Sequence, residues 1–532
     1  MSEGQSHSGT GWMLLRVLAA AVLAWTVFTR AWNISARPFW LDEAWVADTV
    51  RHSSYVHLLT QSEVPCPPLF AMAVKLLGHI STAPEVGFRA LPMICGILIV
   101  PLIYCVARTL HAPRTLALAG MSLAASGLML VIWSRELKQY EVEAFIATLL
   151  ALLVFKLRRR AAPQTRPLLS VGIVSVSLLA PWLGYGSVFP ASVLLVLLLI
   201  LRPLGATRRA LRATAVIALA ALALSVGAVW HVSAARQSAD EALIEFTSRW
   251  YIQPLELRSW LRAGAYGAAS TTMMLVPTHW TRYAVVLGGL AAAMWGLVLV
   301  GLRAWPRRGR AELACWTVLP WLLLIGAAVA RRYPFGAPRM MAFLAPPMML
   351  ALAAGMVGLC RIGSLIFASR AGPGMIAGLL LTLLPAIYVI RVPLHQCYWV
   401  MHDFPGLLRV LARERRDNEK VVVASGAVGA VRFYADRDSG FAYVPLAAGA
   451  CLSSHYDVDA FVRDAFRTAG SRWWLLTTSD EREPVHRSLF DFGRQHGYQV
   501  DRIAGGDGAL DPLCHVAQLY RVERPAPRQA GP

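Results

Sequence analysis

The sequence predicts a polytopic α-helical membrane protein with a soluble α/β domain at its C-terminal end. Three observations lead there. The 532-residue chain is 56% hydrophobic and only 15% charged, with a mean hydropathy of +0.50, whereas a soluble protein carries roughly a quarter charged residues. Apolar runs of about 18–22 residues recur, each long enough to cross the hydrocarbon core. After Val392 these runs stop, and short helix and strand patterns take their place.

The apolar runs place spans near 12–31, 89–107, 114–133, 140–157, 167–183, 185–201, 213–231, 283–302, 313–330, 340–360 and 374–391, eleven in all. The stretch 67–80 (PPLFAMAVKLLGHI) is too short to span, and its Lys75 and His79 suit an interfacial amphipathic helix. Charge bias supports that choice. With the N-terminus inside, loops 108–114, 156–166, 202–212, 303–310 and 361–370 are cytoplasmic, and together they hold 17 Lys and Arg. The same arrangement puts 32–88, 134–139, 232–282, 331–339 and the C-terminal part outside. The first apolar segment lacks a basic n-region and a small-x-small cleavage site, so it reads as a retained anchor.

The chain therefore divides into a membrane domain, 1–392, and an outer α/β domain, 393–532. In the latter, LLRVLARERR, AVGAVRFYAD, AFVRDAF and LFDFGRQHGY have helical periodicity, while KVVVAS, RWWLLTT, YQVDRI and HVAQLYRV read as strands. Alternation of this kind implies a small, largely parallel sheet. No glycine-rich phosphate fingerprint opens a helix in it.

The net charge of +20 is mostly topology, with anionic membrane lipids as its nearest partners, not a nucleic-acid footprint. The eight cysteines show no metal-ligand spacing. Cys451 and Cys514 fall in the outer domain, where a disulfide is permitted; two buried thiols are the alternative.

Ionisable groups at mid-bilayer usually mark ion or proton pathways, but here the spans are almost clean. Glu141 and Glu143 sit in the first turn of the fourth span. The polar groups gather in four outer clusters. Asp42 and Glu43, with Asp48 a turn later, lie in FWLDEAWVADTV; their bland reading is first-turn acids on a juxtamembrane helix. SRELKQYEVE packs Arg135, Glu136, Lys138, Tyr140 and Glu141 into one turn, where snorkelling charges are the alternative. RRYPFGAPR brings Arg331, Arg332, Tyr333 and Arg339 to the outer side, against the positive-inside bias, and guanidinium forks match phosphate oxygens. The loop 232–282 carries Arg236, Asp240, Glu241, Glu245, Arg249, Trp250 and Tyr251, and either covers a cavity or forms an interfacial helix.

In this order the clusters resemble the GT-C superfamily of membrane glycosyltransferases, in its bacterial dolichyl-phosphate-mannose-protein mannosyltransferase-like branch. LDEAWVA is similar to the family's first-loop DE motif, and PPLFAMAVKLLG with FRALPMICGILIVPLIYCVAR to its PPL…RLPS…G stretch. SRELKQY is similar to an SxEARxY turn, and YPFGAPRMMAFLAP to a late outer segment. The resemblance spans essentially the whole chain. It implies a GT-C-like fold and inverting transfer of a hexosyl or pentosyl group from a polyprenyl-phosphate carrier to an envelope glycan or glycolipid. The reaction would take place at the periplasmic face of a bacterial cytoplasmic membrane.

On this resemblance Asp42 is the general base and Glu136 a second acid, orienting the acceptor or a divalent ion. Lys138, Arg332 and Arg339 would hold the carrier phosphate, Tyr140 and Tyr333 would line the pocket, and Glu43 would bind substrate. The C-terminal domain would bind the acceptor or dock another envelope protein. Cys66 departs from the pattern, since many relatives place His or Lys before the Pro pair, which puts a phosphate contact from that loop in doubt. Asp42 with Glu136 makes at most a sparse oxygen site of a kind Mg²⁺ or Mn²⁺ uses, and the sequence commits to no cofactor. The rival reading, a flippase for lipid-linked sugars, calls for charges deep in several spans or for inverted repeats; neither is evident in the sequence.

Overall fold

The computed structural model describes residues 9–32, 34–35, 38–60, 66–81, 83–160, 164–201, 208–234, 250–275, 284–336, 338–366, 403–416, 419–423, 425–438, 444–445, 466, 472–477, 484–505 and 517–524. The first apolar helix is α1 (Gly9–Ala31). Beyond it, the first loop folds into α2 (Leu41–His52), α3 (Tyr55–Thr60) and α4 (Pro68–Ile80). Proline opens α4 because a first-turn residue needs no N–H partner. At 13 residues α4 stays too short to cross a bilayer.

Then come α5 (Pro84–Thr109), α6 (Arg114–Ser126), α7 (Leu128–Trp133), α8 (Tyr140–Arg160), α9 (Arg166–Leu183), α10 (Val188–Ile200) and α11 (Arg208–Ala234). Four more follow: α12 (Leu257–Met273), α13 (Ala284–Ala304), α14 (Arg307–Val329) and α15 (Ala345–Ile366). Helices stand wherever the first ten spans were expected; 374–391 lies outside the described residues.

Among the described residues six segments are long and apolar enough to cross a membrane: Met13–Ala31, Pro84–Thr109, Arg166–Leu183, Arg208–Val232, Arg307–Val329 and Arg339–Cys360. The expected span 114–133 is broken at Gly127, which leaves helical geometry at ψ 118°. A Cβ at that position would lie 2.8 Å from the tip of Met349, so the backbone there sits hard against α15. Large apolar side chains such as Leu168, Val171, Ile217 and Leu224 point outward from the bundle. That is the reverse of a soluble fold, and lipid is the solvent that tolerates it.

The basic loops meet at one end of the bundle. Arg158 and Arg159 both reach Glu312, at 2.5 and 2.7 Å, and the Trp305 indole donates to the Leu110 carbonyl at 3.1 Å. The other end of α8, roughly 30 Å away at 1.5 Å per residue, carries the acidic first loop and the α/β domain.

That domain comprises α16 (Phe404–Glu414), β1 (Lys420–Val423), α17 (Ser425–Asp438), β2 (Val444–Pro445), β3 (Arg472–Thr477), α18 (Pro484–Gln495), β4 (Gln499–Gly505) and β5 (Gln518–Glu523). All four expected strands are present, but the expected parallel sheet is mixed. The order is β2-β1-β3-β5-β4, with β1 parallel to β2 and β3. β5 pairs antiparallel with both β3 and β4 because it enters the sheet between them. Of the helix expected over AFVRDAF only Phe466 is described, and Cys451 and Cys514 lie outside the described residues.

The domain is packed onto the first loop. Phe39, Val46, Val50 and Phe70 share one apolar cluster with Phe404, Leu408, Val431, Phe433 and Tyr434.

Candidate active site

Asp42 and Glu43 occupy the first turn of α2, yet their surroundings differ completely. Glu43 is fully buried. The Arg89 guanidinium grips it as a fork, Nε to Oε1 at 2.8 Å and a terminal nitrogen to Oε2 at 2.6 Å. The Leu137 N–H donates to Oε1 at 2.7 Å, and the Trp40 N–H to Oε2 at 3.4 Å, which caps α2. Arg89 also donates to the carbonyls of Ile34 and Pro38. The expectation of a substrate contact from Glu43 gives way here: both of its oxygens are sealed inside, and the residue ties α2 to α5 and to the 134–139 turn. The bland first-turn reading fits Glu43.

Asp42 faces the other way and keeps a quarter of its side chain exposed. Its Oδ2 accepts from Arg339 at 2.7 Å, and Lys138 Nζ lies 3.8 Å off. Three clusters far apart in the sequence thus meet at one oxygen. Arg339 opens the 3-10 turn Pro338–Leu344, and the charges of Asp42 and Glu136 and the Tyr140 phenol all act on it. Glu136 itself is wholly buried, so it reaches the site through its field, not through an open face. Tyr140 is buried edge-on to Trp133.

The Tyr333 hydroxyl donates to the Met340 carbonyl at 3.2 Å, and its ring stands edge-on to Phe189. Burial first, then the Glu143 carboxylate and Tyr140, hold this phenol well above its ordinary pKa. Arg332, expected with Arg339, goes elsewhere: its guanidinium lies exposed over the Trp230 ring, 5.3 Å from the centroid. Arg332 follows a helix end while Arg339, seven residues on, lies in a 3-10 turn, and only Arg339 reaches Asp42. Of the long loop, Trp250 and Tyr251 are described; Arg236, Asp240, Glu241, Glu245 and Arg249 are outside the described residues.

Several supports carry no motif. Glu143 accepts from the Gly186 N–H at 3.0 Å and so holds the tight turn between α9 and α10. The neighbouring Tyr185 hydroxyl donates to the carbonyl of Cys66, whose side chain is buried. Arg30 and Glu141 come together at Gly96, where a Cβ would lie 3.2 Å from Arg30 Nε and 3.1 Å from Glu141 Oε1. Arg89 stood at the start of an expected span with no role attached to it; the signal that could have found it is a lone arginine opening an apolar run opposite an acidic loop. Among the described residues no three His, Cys, Asp or Glu side chains gather to hold a metal ion. Asp42 itself meets cations of the protein, which does not suit a metal ligand set.

This bundle of apolar helices, whose acidic first loop meets basic groups from later loops against an α/β domain, has the fold of several solved membrane-protein structures. Its structure is similar to ArnT from Cupriavidus metallidurans in the apo state, with a TM-score of 0.55 at 13% identity over 96% of this chain and 98% of that one. The same enzyme bound to undecaprenyl phosphate aligns with a TM-score of 0.53 at 12% identity, over 99% of this chain and 100% of that one. The Archaeoglobus fulgidus oligosaccharyltransferase in its apo form gives 0.53 at 12% identity, over 89% of this chain and 71% of that one. No family model matches the chain, and no curated protein matches its sequence.

Proposed function

We propose that the protein is an inverting glycosyltransferase that moves a sugar from a polyprenyl-phosphate carrier to a hydroxyl of an envelope glycan or glycolipid. One observation carries the reading: Asp42 Oδ2 lies 2.7 Å from Arg339 and 3.8 Å from Lys138. A base and two cations share a partly open position. The structural neighbours support the carrier class, because one was solved with undecaprenyl phosphate and another with a dolichol-phosphate.

The chemistry follows from the charges. The acceptor hydroxyl gives its proton to the Asp42 carboxylate as its oxygen bonds to the anomeric carbon. The bond from that carbon to the phosphate oxygen breaks on the opposite face, so configuration inverts. The departing polyprenyl phosphate gains negative charge, which Arg339 and Lys138 stabilise. The buried Glu136 carboxylate adds negative charge near Arg339, and Tyr140 and Tyr333 flank the site. Glu43 and Arg89 hold the helix that presents the base. No step requires a metal ion.

The site is assigned to the periplasmic side of a bacterial cytoplasmic membrane, since the arginine-rich loops crowd the other end of the bundle. Purified protein given a polyprenyl-phosphate sugar in vesicles tests the reading against the flippase alternative. Transfer predicts release of polyprenyl phosphate. Leaflet movement without cleavage overturns it.

A further inference from the structure

The α/β domain does more than sit beside the site. Its helix α17 lies along α2, and their backbones approach so closely at Gly429 that a Cβ there would be 3.2 Å from the Trp45 Cα. Five contacts accompany this approach. The Phe39 N–H, one residue before the α2 cap Trp40, donates to the Tyr434 hydroxyl oxygen at 2.7 Å. The Phe433 ring packs against Phe39 and Phe88, at 5.3 and 6.0 Å between centroids. Arg51, at the other end of α2, donates to the Phe433 carbonyl at 3.3 Å. Arg432 lies 3.7 Å from Asp48 in the middle.

The Arg89 guanidinium that clasps Glu43 also lies over the Phe39 ring, 4.7 Å from its centroid. Phe39 is therefore shared. One of its faces serves the Glu43–Arg89 lock, and its edge meets Phe433 of the outer domain. Tyr434 is buried, with no exit to water for its hydroxyl. Lys75 of α4 grips the last turn of α2 from another side, donating to the carbonyls of Val50 and Arg51 at 2.8 and 3.1 Å.

We propose that Phe433 and Tyr434 of the α/β domain are positioning residues for α2: the domain is the outer jaw of a clamp that fixes Asp42 and Glu43 in place. Hydrogen–deuterium exchange on the purified full-length chain tests this without substrate. Tyr434→Phe keeps the ring and deletes one acceptor. Exchange at residues 39–43 then rises roughly five- to tenfold, the scale of one hydrogen bond, while β3 and β5 stay protected. Phe433→Ala loosens all of α2, and Phe433→Tyr restores it. Unchanged α2 exchange in both Tyr434→Phe and Phe433→Ala overturns the proposal. Loss of β3 and β5 protection in Tyr434→Phe also counts against it, because the hydroxyl would then serve the domain itself.

A second readout rests on the glycosyltransferase reading. In an assay turning over a polyprenyl-phosphate sugar, Tyr434→Phe lowers kcat several-fold with donor KM unchanged. If no such sugar is turned over by the wild type, that reading fails while the exchange result still decides the clamp.

Discussion

Arg339 and Asp42, 297 positions apart in sequence, meet at 2.7 Å through a single carboxylate oxygen. On the proposed function Asp42 is a base held by a cation and cannot also accept a proton freely, so the pair has to be divided when a phosphate arrives. The anion that claims Arg339 is then the same group whose departure the arginine stabilises. Donor binding and release of the base become one event.

Asp42→Asn accordingly removes transfer while leaving the fold intact. The expected loss is about 10²–10⁴-fold, the usual contribution of a positioned general base. Near-normal turnover in this variant would falsify the assignment.

The same substitution strengthens carrier binding. With Asp42 neutral, Arg339 and Lys138 are left to the phosphate, and affinity for polyprenyl phosphate rises. Isothermal titration of the two proteins side by side reads it, and a weaker Asp42→Asn complex contradicts the shared-cation picture.

Arg339→Ala weakens polyprenyl phosphate binding by roughly tenfold or more, the scale of a charge-assisted hydrogen bond. Arg339→Lys retains part of it as a point charge without the fork. Arg332→Ala leaves affinity near wild type because its guanidinium rests over Trp230. Equal affinity in all three proteins argues against a phosphate contact at Arg339.

Glu43 and Arg89 form a buried pair in which each partner is fully enclosed. Removing either one leaves a stranded charge and destabilises by about 3–5 kcal/mol. Replacing both by apolar residues of similar size costs less than either single change. Thermal unfolding in detergent, arranged as a double-mutant cycle, measures the coupling; additive effects would mean the pair is idle.

α13 and α15 touch backbone to backbone. A Cβ on Gly301 would fall 1.9 Å from the Ala351 carbonyl oxygen, and one on Gly355 2.1 Å from that of Leu297. Small residues permit such packing in lipid, where helix association depends on close contact. Gly301→Val forces the helices apart and lowers stability by about 1–3 kcal/mol or more, read as a drop in the detergent melting temperature. Gly296→Val, where nothing lies within 4 Å, is the silent control.

The membrane architecture was legible because apolar run length is a local property. The same property gave the short length of α4, 13 residues in the structure. The sheet was less legible: strand identity follows from β-branched and aromatic runs, but the insertion of β5 between β3 and β4 is a matter of partner choice that no local pattern records. At the candidate site, misplaced charge in the sequence marked clusters that the structure brings together at Asp42. It could not tell Asp42 from Glu43, because which carboxylate turns inward depends on Arg89, 46 positions away. Arg331 adopts a positive φ of 53° just before Arg332, and a bend of that kind redirects a side chain with no trace in residue type.

Helix α8 is tethered twice, by Glu143 to the Gly186 turn near one tip and by Arg158 and Arg159 to Glu312 at the other. A girder pinned at both extremities cannot slide along its axis. On the proposed function, adaptation to a different saccharide therefore falls to the neighbouring turns, 134–139 and 331–336, where a replaced side chain alters the site and leaves the frame undisturbed.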